Sequence, residues 1–227
     1  MTHNWYRGFA ERYDLFFNRF GEHDPVVFGF FRKLFSENQV HSVLDCACGT
    51  GQDLHLFHSL GCVVFGSDIS ASMLAQAEKN LTECGVRIPL KKADYRELPQ
   101  HFGRQFDAVV CLSTSIAEMP NESEVLRALR SMREVLRDGG ILVLTQGTTD
   151  KQWQEKRRFI LAANRKDFSR LFVIDYFDGG ARFNVLDIFH GEEASDFKVW
   201  SIDYAQILLR DDQERMLKAS GFGVLDF

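Results

Sequence analysis

The sequence predicts an α/β fold: a doubly wound, mostly parallel sheet with helices on both faces, carrying an inserted antiparallel β cap after the fifth strand. Three observations carry this. Short apolar runs alternate with amphipathic helical runs from residue 42 to residue 145. The first apolar run, Val43-Leu44-Asp45, leads into Cys46-Ala47-Cys48-Gly49-Thr50-Gly51, a glycine-rich turn before a helix over Asp53–Leu60. Beyond Thr145 the alternation stops, and Arg170–Phe177 and Arg182–Phe189 flank Asp178-Gly179-Gly180, a hairpin signal.

Taken in order, residues 1–36 predict an amphipathic helical segment, with Tyr6, Phe9, Ala10, Tyr13, Phe16 and Phe17 near helical spacing and a second apolar run after Pro25. Strand one is expected at 42–47 and strand two at 62–67, followed by Asp68. Ser70–Thr82 reads as a helix with Met73, Leu74 and Ala77 on its inner face, and Arg87–Lys92 as a short third strand. Phe106–Cys111 is nearly continuous apolar after its acid, as a strand covered on both faces requires. A helix over Leu126–Leu136, ended by Asp138-Gly139-Gly140, precedes strand five at Ile141–Thr145. Lys151–Lys166 reads as a helix, the two hairpin strands follow, and Phe197–Ile202 adds a third. Asp211–Ala219 is a last helix and Gly221–Phe227 the start of another strand. The expected organisation is one domain, 1–227: a lid at 1–36, a core at 40–147, a cap at 150–207 and a return to the core at 208–227.

Apolar residues at 45% and charged residues at 26% are ordinary for a globular chain. A net charge of −5 argues against nucleic acid or an anionic membrane as partner. No apolar run reaches membrane-span length and Met1-Thr-His-Asn-Trp is no signal peptide, so a cytoplasmic location is expected. The five cysteines, Cys46, Cys48, Cys62, Cys84 and Cys111, are odd in number. No second Cys or His pair follows Cys46-x-Cys48 at ligand spacing, so they read as small buried thiols, with no metal.

The glycine turn is the candidate ligand site, since glycine lets a ligand approach the backbone at a helix N-terminus. A dinucleotide fingerprint wants a small residue where Leu54 stands, which disfavours an NAD-dependent dehydrogenase, and a P-loop wants a lysine that is missing. Asp68 ends the next strand about twenty residues on, the spacing of a ribose clamp, with helix capping as its alternative role. Residues 111–116 follow the C-terminal end of strand four, where ligands bind in open α/β sheets.

The run Asp45-x-Ala47-Cys48-Gly49-Thr50-Gly51 resembles motif I of class I S-adenosylmethionine-dependent methyltransferases. With Phe106-Asp107-Ala108-Val109-Val110-Cys111-Leu112 and the Gly221-Phe222 context, residues 40–147 are most similar to the glycine/sarcosine N-methyltransferase-like group. The resemblance implies a Rossmann-like core, S-adenosyl-L-methionine as cofactor, and methyl transfer to a small-molecule N or O acceptor by a monomer or homodimer. It implies cofactor contacts at Tyr13, Asp45, Ala47, Cys48, Gly49, Gly51, Asp68, Ile69, Met73, Asp94, Tyr95, Cys111, Leu112 and Ser113, with Tyr13-Asp14 as lid, Asp94 accepting from the adenine amino group and Tyr95 beside the ring. Its alternative is a non-catalytic protein that keeps cofactor binding. The sequence departs from the group where an arginine after strand five holds the substrate carboxylate: Gly147 stands there, so free glycine is not the expected acceptor unless Arg170 or Arg182 substitutes from the cap. His190, Asp175 and Tyr176 are candidate bases, but nothing in the spacing selects one. The acceptor pocket is expected between residues 112–116, the Gln146–Thr149 loop and the inserted strands.

Overall fold

The computed structural model describes residues 9–16, 19–191, 195–223 and 226. Strands β1 (Ser42–Asp45), β2 (Val63–Asp68), β3 (Leu90–Lys92), β4 (Phe106–Cys111) and β5 (Leu136–Leu144) form one all-parallel sheet in the order β3-β2-β1-β4-β5. The chain works outward from β1 to β3, then returns to the other side of β1 to lay down β4. That reversal opens the crevice between β1 and β4 in which such sheets bind ligands.

Helices α2 (Pro25–Glu37), α3 (Gln52–Ser59), α4 (Ala71–Glu83), α6 (Glu122–Glu134) and α8 (Arg210–Ala219) cover the sheet, with short turns of helix at α1 (Ala10–Tyr13) and α5 (Leu98–His101). The two-residue period of the central strands divides the core in two. Leu44, Val109 and Cys111 face Leu129, Met132 and Met216, whereas Val43, Ala108 and Val110 face Phe31, Phe35, Leu54 and Phe57. Each such large side chain, fully buried, contributes about 1.5–3 kcal/mol. The helix starts have local causes. Asp24 accepts from the Val26 and Val27 amides before Pro25 at N1, and Ser70 and Asn121 cap α4 and α6.

The Asn121 cap starts α6 at Glu122 rather than at the expected Leu126, and the helix ends at Glu134. Asp138-Gly139-Gly140 therefore does not terminate a helix; it lies within β5, where the register against β4 shifts between Phe106 and Ala108. Gly139 takes φ +72°, and a Cβ on Gly140 would lie 3.0 Å from the Asp107 carbonyl, so this irregularity requires its glycines.

The second sheet is four-stranded and antiparallel: β6 (Phe159–Asn164), β7 (Phe168–Phe177), β8 (Gly180–His190) and β9 (Ser195–Tyr204), in that order. The expected helix over 151–166 is a correction. Helix α7 spans only Asp150–Glu155, opened by a Thr149–Gln152 capping box and closed by Lys156 in a left-handed conformation. Phe159-Ile160-Leu161 then pairs with Val173, Phe172 and Leu171, making a fourth strand where three were expected. A β-branched and aromatic run gains more from cross-strand pairing than from helix. The hairpin signal is realised as a two-residue turn, Asp178-Gly179, with Phe177 opposite Gly180. The expected strand over Gly221–Phe227 rests on residues 224, 225 and 227, and Tyr6 on 1–8, outside the described residues. No described helix is long and apolar enough to cross a membrane.

Candidate functional site

The glycine turn starts where β1 ends, and two of its backbone groups require glycine: Gly49 at φ +51° and Gly51 at φ +90°. The turn is tied to the neighbouring strand, Cys48 N donating to the Ser67 carbonyl at 3.0 Å, and to α4, where Asn80 Nδ2 donates to the Thr50 carbonyl at 3.1 Å. Asp68 accepts from Gly49 N at 2.9 Å with one oxygen and from Ser70 N at 2.8 Å with the other. It therefore bridges the turn and the entry to α4, while the N-cap itself is Ser70.

Asp45 accepts from the Ala47 amide at 3.1 Å and is buried. Burial holds its carboxyl well above the usual carboxylate range, and the charges of Asp53 and Asp68 push the same way. Asp53, in the first turn of α3, is raised by burial to about 6, and burial also raises Asp68. Three acidic side chains thus lie at one turn, and a cationic ligand there would favour their ionised forms.

The lid segment crosses this turn. A Tyr13 ring carbon lies 3.7 Å from the Cβ position of Gly49, its hydroxyl is hydrogen-bonded to Ser113, and burial raises its phenol. Asp14 accepts from Asn80 at 2.9 Å and Gln76 at 3.3 Å, fastening the segment to α4. Arg12 donates to Asp187 at 2.7 Å, and the fully buried Arg170 forks the same carboxylate at 2.6 and 3.0 Å. Phe9 stacks on Trp200 with centroids 4.2 Å apart. One aspartate of the cap is therefore among the anchors of the lid.

At the end of β4, Ser113 and Thr114 both take positive φ, 55° and 70°. Such backbone costs about 1–3 kcal/mol per residue and persists only where neighbours impose it. Here Ser113 N donates to Thr145 Oγ1 at 2.8 Å, Thr114 N to the Thr145 carbonyl at 3.2 Å, and Gly147 N to Thr114 Oγ1 at 2.9 Å. The 3-10 turn Ser115–Glu118 follows. Tyr95 donates to the Ser115 carbonyl at 2.9 Å. Burial raises the phenols of Tyr95 and of Tyr204, which comes from β9, and the charge of Glu118 raises both, as it does Tyr13. The charge of Glu118 thus reaches three phenols, one each from the lid, the core and the cap.

The structure brings Tyr13, Ala47, Gly49, Gly51, Asp68 and Ser113 around the end of β1, with Asp45 buried at that strand's end and Cys48 packed into the core with Leu54 and Val64. Met73 is buried under the start of α4, Ile69 is half exposed beside Asp68, and Cys111 and Leu112 are buried at the end of β4. Asp94 is forked by Arg96, with Nε 3.0 Å from each carboxylate oxygen, and Arg96 also pairs with Glu124. The cap arginines do not supply a carboxylate anchor: Arg170 is engaged by Asp187, and Arg182 pairs with Asp203 at 2.6 Å on the other face of the sheet. Of the candidate bases, Asp175 and His190 share that other face, Asp175 pairing with Arg158 and His190 with Ser169. Tyr176 donates to the Arg157 carbonyl and packs on Trp153. Sequence reasoning missed Asp53, Glu118 and Asp187. Asp53 is legible as an acid in the first helical turn after the glycines. Asp187 is legible too, because the two-residue turn puts it directly opposite Arg170. Glu118 carries no such signal. Among the described residues, no group of three or more His, Cys, Asp or Glu is placed to hold a metal ion.

Residues 43–140 match a family model described as a methyltransferase domain. A glycine/sarcosine N-methyltransferase from Aphanothece halophytica is 32% identical over 148 residues, 63% of this chain and 54% of that protein. A dTDP-3-amino-3,6-dideoxy-alpha-D-glucopyranose N,N-dimethyltransferase from Streptomyces fradiae is 39% identical over 104 residues, 45% of this chain and 38% of that protein. The chain spans about half the length of the curated relatives it matches. Among solved structures, a sugar N-methyltransferase from a Streptoalloteichus species superposes with a TM-score of 0.71 at 27% identity, covering 92% of this chain and 83% of that one. An S-adenosylmethionine-dependent methyltransferase from Clostridium acetobutylicum reaches 0.76 at 19% identity, covering 95% and 87%, a likeness of fold alone.

Proposed function

We propose, from the premise that this chain carries a class I S-adenosylmethionine-dependent methyltransferase domain, that it binds S-adenosyl-L-methionine at the glycine turn and methylates a small amine. The observation that carries this reading is the convergence of Asp45, Asp53 and Asp68 on a turn whose glycines leave its backbone open. The residues present fit such a cofactor. Its ammonium and sulfonium are cationic, and buried carboxylates stabilise cations strongly where water is scarce. Asp68 supplies acceptor oxygens beside the turn for ribose hydroxyls, and Tyr13 covers the turn from the lid.

When bound, the cofactor supplies an activated methyl group for in-line displacement. The chain's part is to align the acceptor and exclude water. The tied backbone at Ser113, Thr114 and Gly147 forms the rigid floor, and the charge of Glu118 in the turn that follows is felt by Tyr13, Tyr95 and Tyr204. Such a carboxylate suits an ammonium or amine acceptor. Two relatives bear names of amine methylation, of glycine or sarcosine and of an amino sugar, which supports this choice. With Gly147 in place of an arginine, and Arg170 and Arg182 both engaged, a free amino-acid carboxylate has no evident anchor, so glycine is not the preferred acceptor.

Calorimetric titration with S-adenosylhomocysteine tests the cofactor site. Binding is expected for the natural chain, and its loss for a folded Gly49→Val, whose side chain would meet Tyr13 and stand at a positive φ. Normal binding by folded Gly49→Val would put the site elsewhere.

A further inference from the structure

The C-terminal ends of β1, β2 and β3 lie side by side and set three stations in a row. The glycine turn follows β1, Asp68 ends β2, and Asp94 stands just beyond β3. Backbone hydrogen bonds hold the row together. Cys48 N donates to the Ser67 carbonyl at 3.0 Å, and Ala93 N to the Asp68 carbonyl at 3.1 Å. On the cofactor reading above, the amino-acid end lies at the glycine turn and the ribose at Asp68. The purine then reaches the third station past Ile69, an apolar side chain left 46% exposed.

That station is an ion pair rather than a lone carboxylate. Asp94 Oδ1 accepts from the Arg96 amide at 2.9 Å and from Arg96 Nε at 3.0 Å, and Oδ2 accepts from Nε at 3.0 Å and from Nη2. A carboxylate has about four lone-pair sites, so this one is filled. Burial raises the Asp94 carboxyl, but the hydrogen bonds from Arg96 outweigh burial and hold it below the usual range, so Asp94 has no proton to donate at neutral pH. Arg96 has donors to spare. Three of its guanidinium N–H groups serve Asp94 and Glu124, and among the described residues the remainder have no partner.

We propose that the Asp94–Arg96 pair meets the purine as a hydrogen-bond donor, so that the site does not select adenine by its amino group. Adenine N1 or N7 can accept from Arg96, and so can the carbonyl oxygen of a 6-oxopurine. The adenine amino group is a donor and finds no open acceptor at Asp94. Arg96 is thereby the specificity-determining residue at this end of the site, in place of the role that the resemblance implies for Asp94. The inference rests on the proposal that this chain binds S-adenosyl-L-methionine.

Calorimetric titration of the full chain with S-adenosylhomocysteine and with its 6-oxo analogue, S-inosylhomocysteine, tests it. The ligands differ only at the purine 6-position and the adjoining N1 proton, so the ratio of their dissociation constants cancels any loss of folded protein. The natural chain should bind the two within about threefold of each other, since one neutral acceptor replaces another. Arg96→Met frees both oxygens of Asp94. The amino group then gains a charged acceptor while the 6-oxo group meets a bare carboxylate, so the ratio should shift toward S-adenosylhomocysteine by at least about tenfold. Glu124→Gln leaves the Asp94–Arg96 fork in place and should leave the ratio unchanged. A natural chain that already prefers S-adenosylhomocysteine by more than about tenfold overturns the proposal, because Asp94 would then be accepting the amino group. So does a ratio that Arg96→Met leaves where it was. Binding of neither ligand by the folded natural chain overturns the cofactor reading itself, and this inference with it.

Discussion

Asp53 and Asp68 lie beside the same glycine turn and predict different experiments. Burial raises the Asp53 carboxyl from 3.8 to about 6. The folded chain therefore keeps a proton that the unfolded chain releases between about pH 4 and pH 6, and stability is lost as pH rises through that window. Thermal melts of the cofactor-free protein should show this decline, and Asp53→Asn should flatten it. A cationic cofactor should bind more tightly as Asp53 ionises, so affinity is expected to rise over the same range. Asp68 bonds two backbone amides without any ligand. Asp68→Ala leaves both unpaired, at about 1–3 kcal/mol each, so melting temperature and cofactor affinity should fall together. Asp68→Asn keeps an acceptor oxygen but loses the charge, and should cost roughly tenfold in affinity with a smaller loss of melting temperature. Unchanged affinity in both variants would leave Asp68 a purely architectural residue.

At the scale of elements, the lid and the cap are joined through Asp187. Removing its charge takes from Arg170 the carboxylate that offsets its buried guanidinium, and breaking a buried pair in this way costs about 3–5 kcal/mol. Asp187→Asn should therefore lower the melting temperature and raise amide hydrogen exchange in residues 9–16 before it does so in β1 and β4. Uniform exchange across the molecule would mean that the lid is held by its other contacts. Legibility also varied by element. The parallel core was readable because three of its strands carry a signal with a physical cause: glycines after β1, an acid at the end of β2, a continuous apolar run in β4. The stretch 151–166 was not. Its charged first half is helical in character, and only the long-range pairing of Phe159–Leu161 with β7 makes its second half a strand. The bulge at Gly139-Gly140 was hidden for the same reason, since a glycine pair after a helical run looks like a helix end until the partner strand is known.

For the molecule as a whole, the two sheets divide the labour. The core supplies the glycine turn, and the cap supplies Tyr204 and an anchor for the lid. The core was legible by its motif, whereas the acceptor side depended on which face of each cap strand points inward, which removed Asp175, His190 and Arg182 from the crevice. An acceptor panel tests the division. Release of S-adenosylhomocysteine should be faster with amino sugars and other amines that lack a carboxylate than with glycine, phenols or carboxylic acids. Fast turnover of glycine would mean that some other group replaces the arginine that Gly147 lacks.

The two-residue Asp178-Gly179 turn sets what the gene can tolerate. A single codon inserted or deleted there would shift the pairing of β7 with β8 by one residue and turn one strand over. Arg170 and Asp187 would part company, and oily side chains would trade places with charged ones. Divergence in this cap should therefore accumulate as substitutions, with length changes confined to the outer connections, and a library of one-codon insertions should be depleted at this turn first.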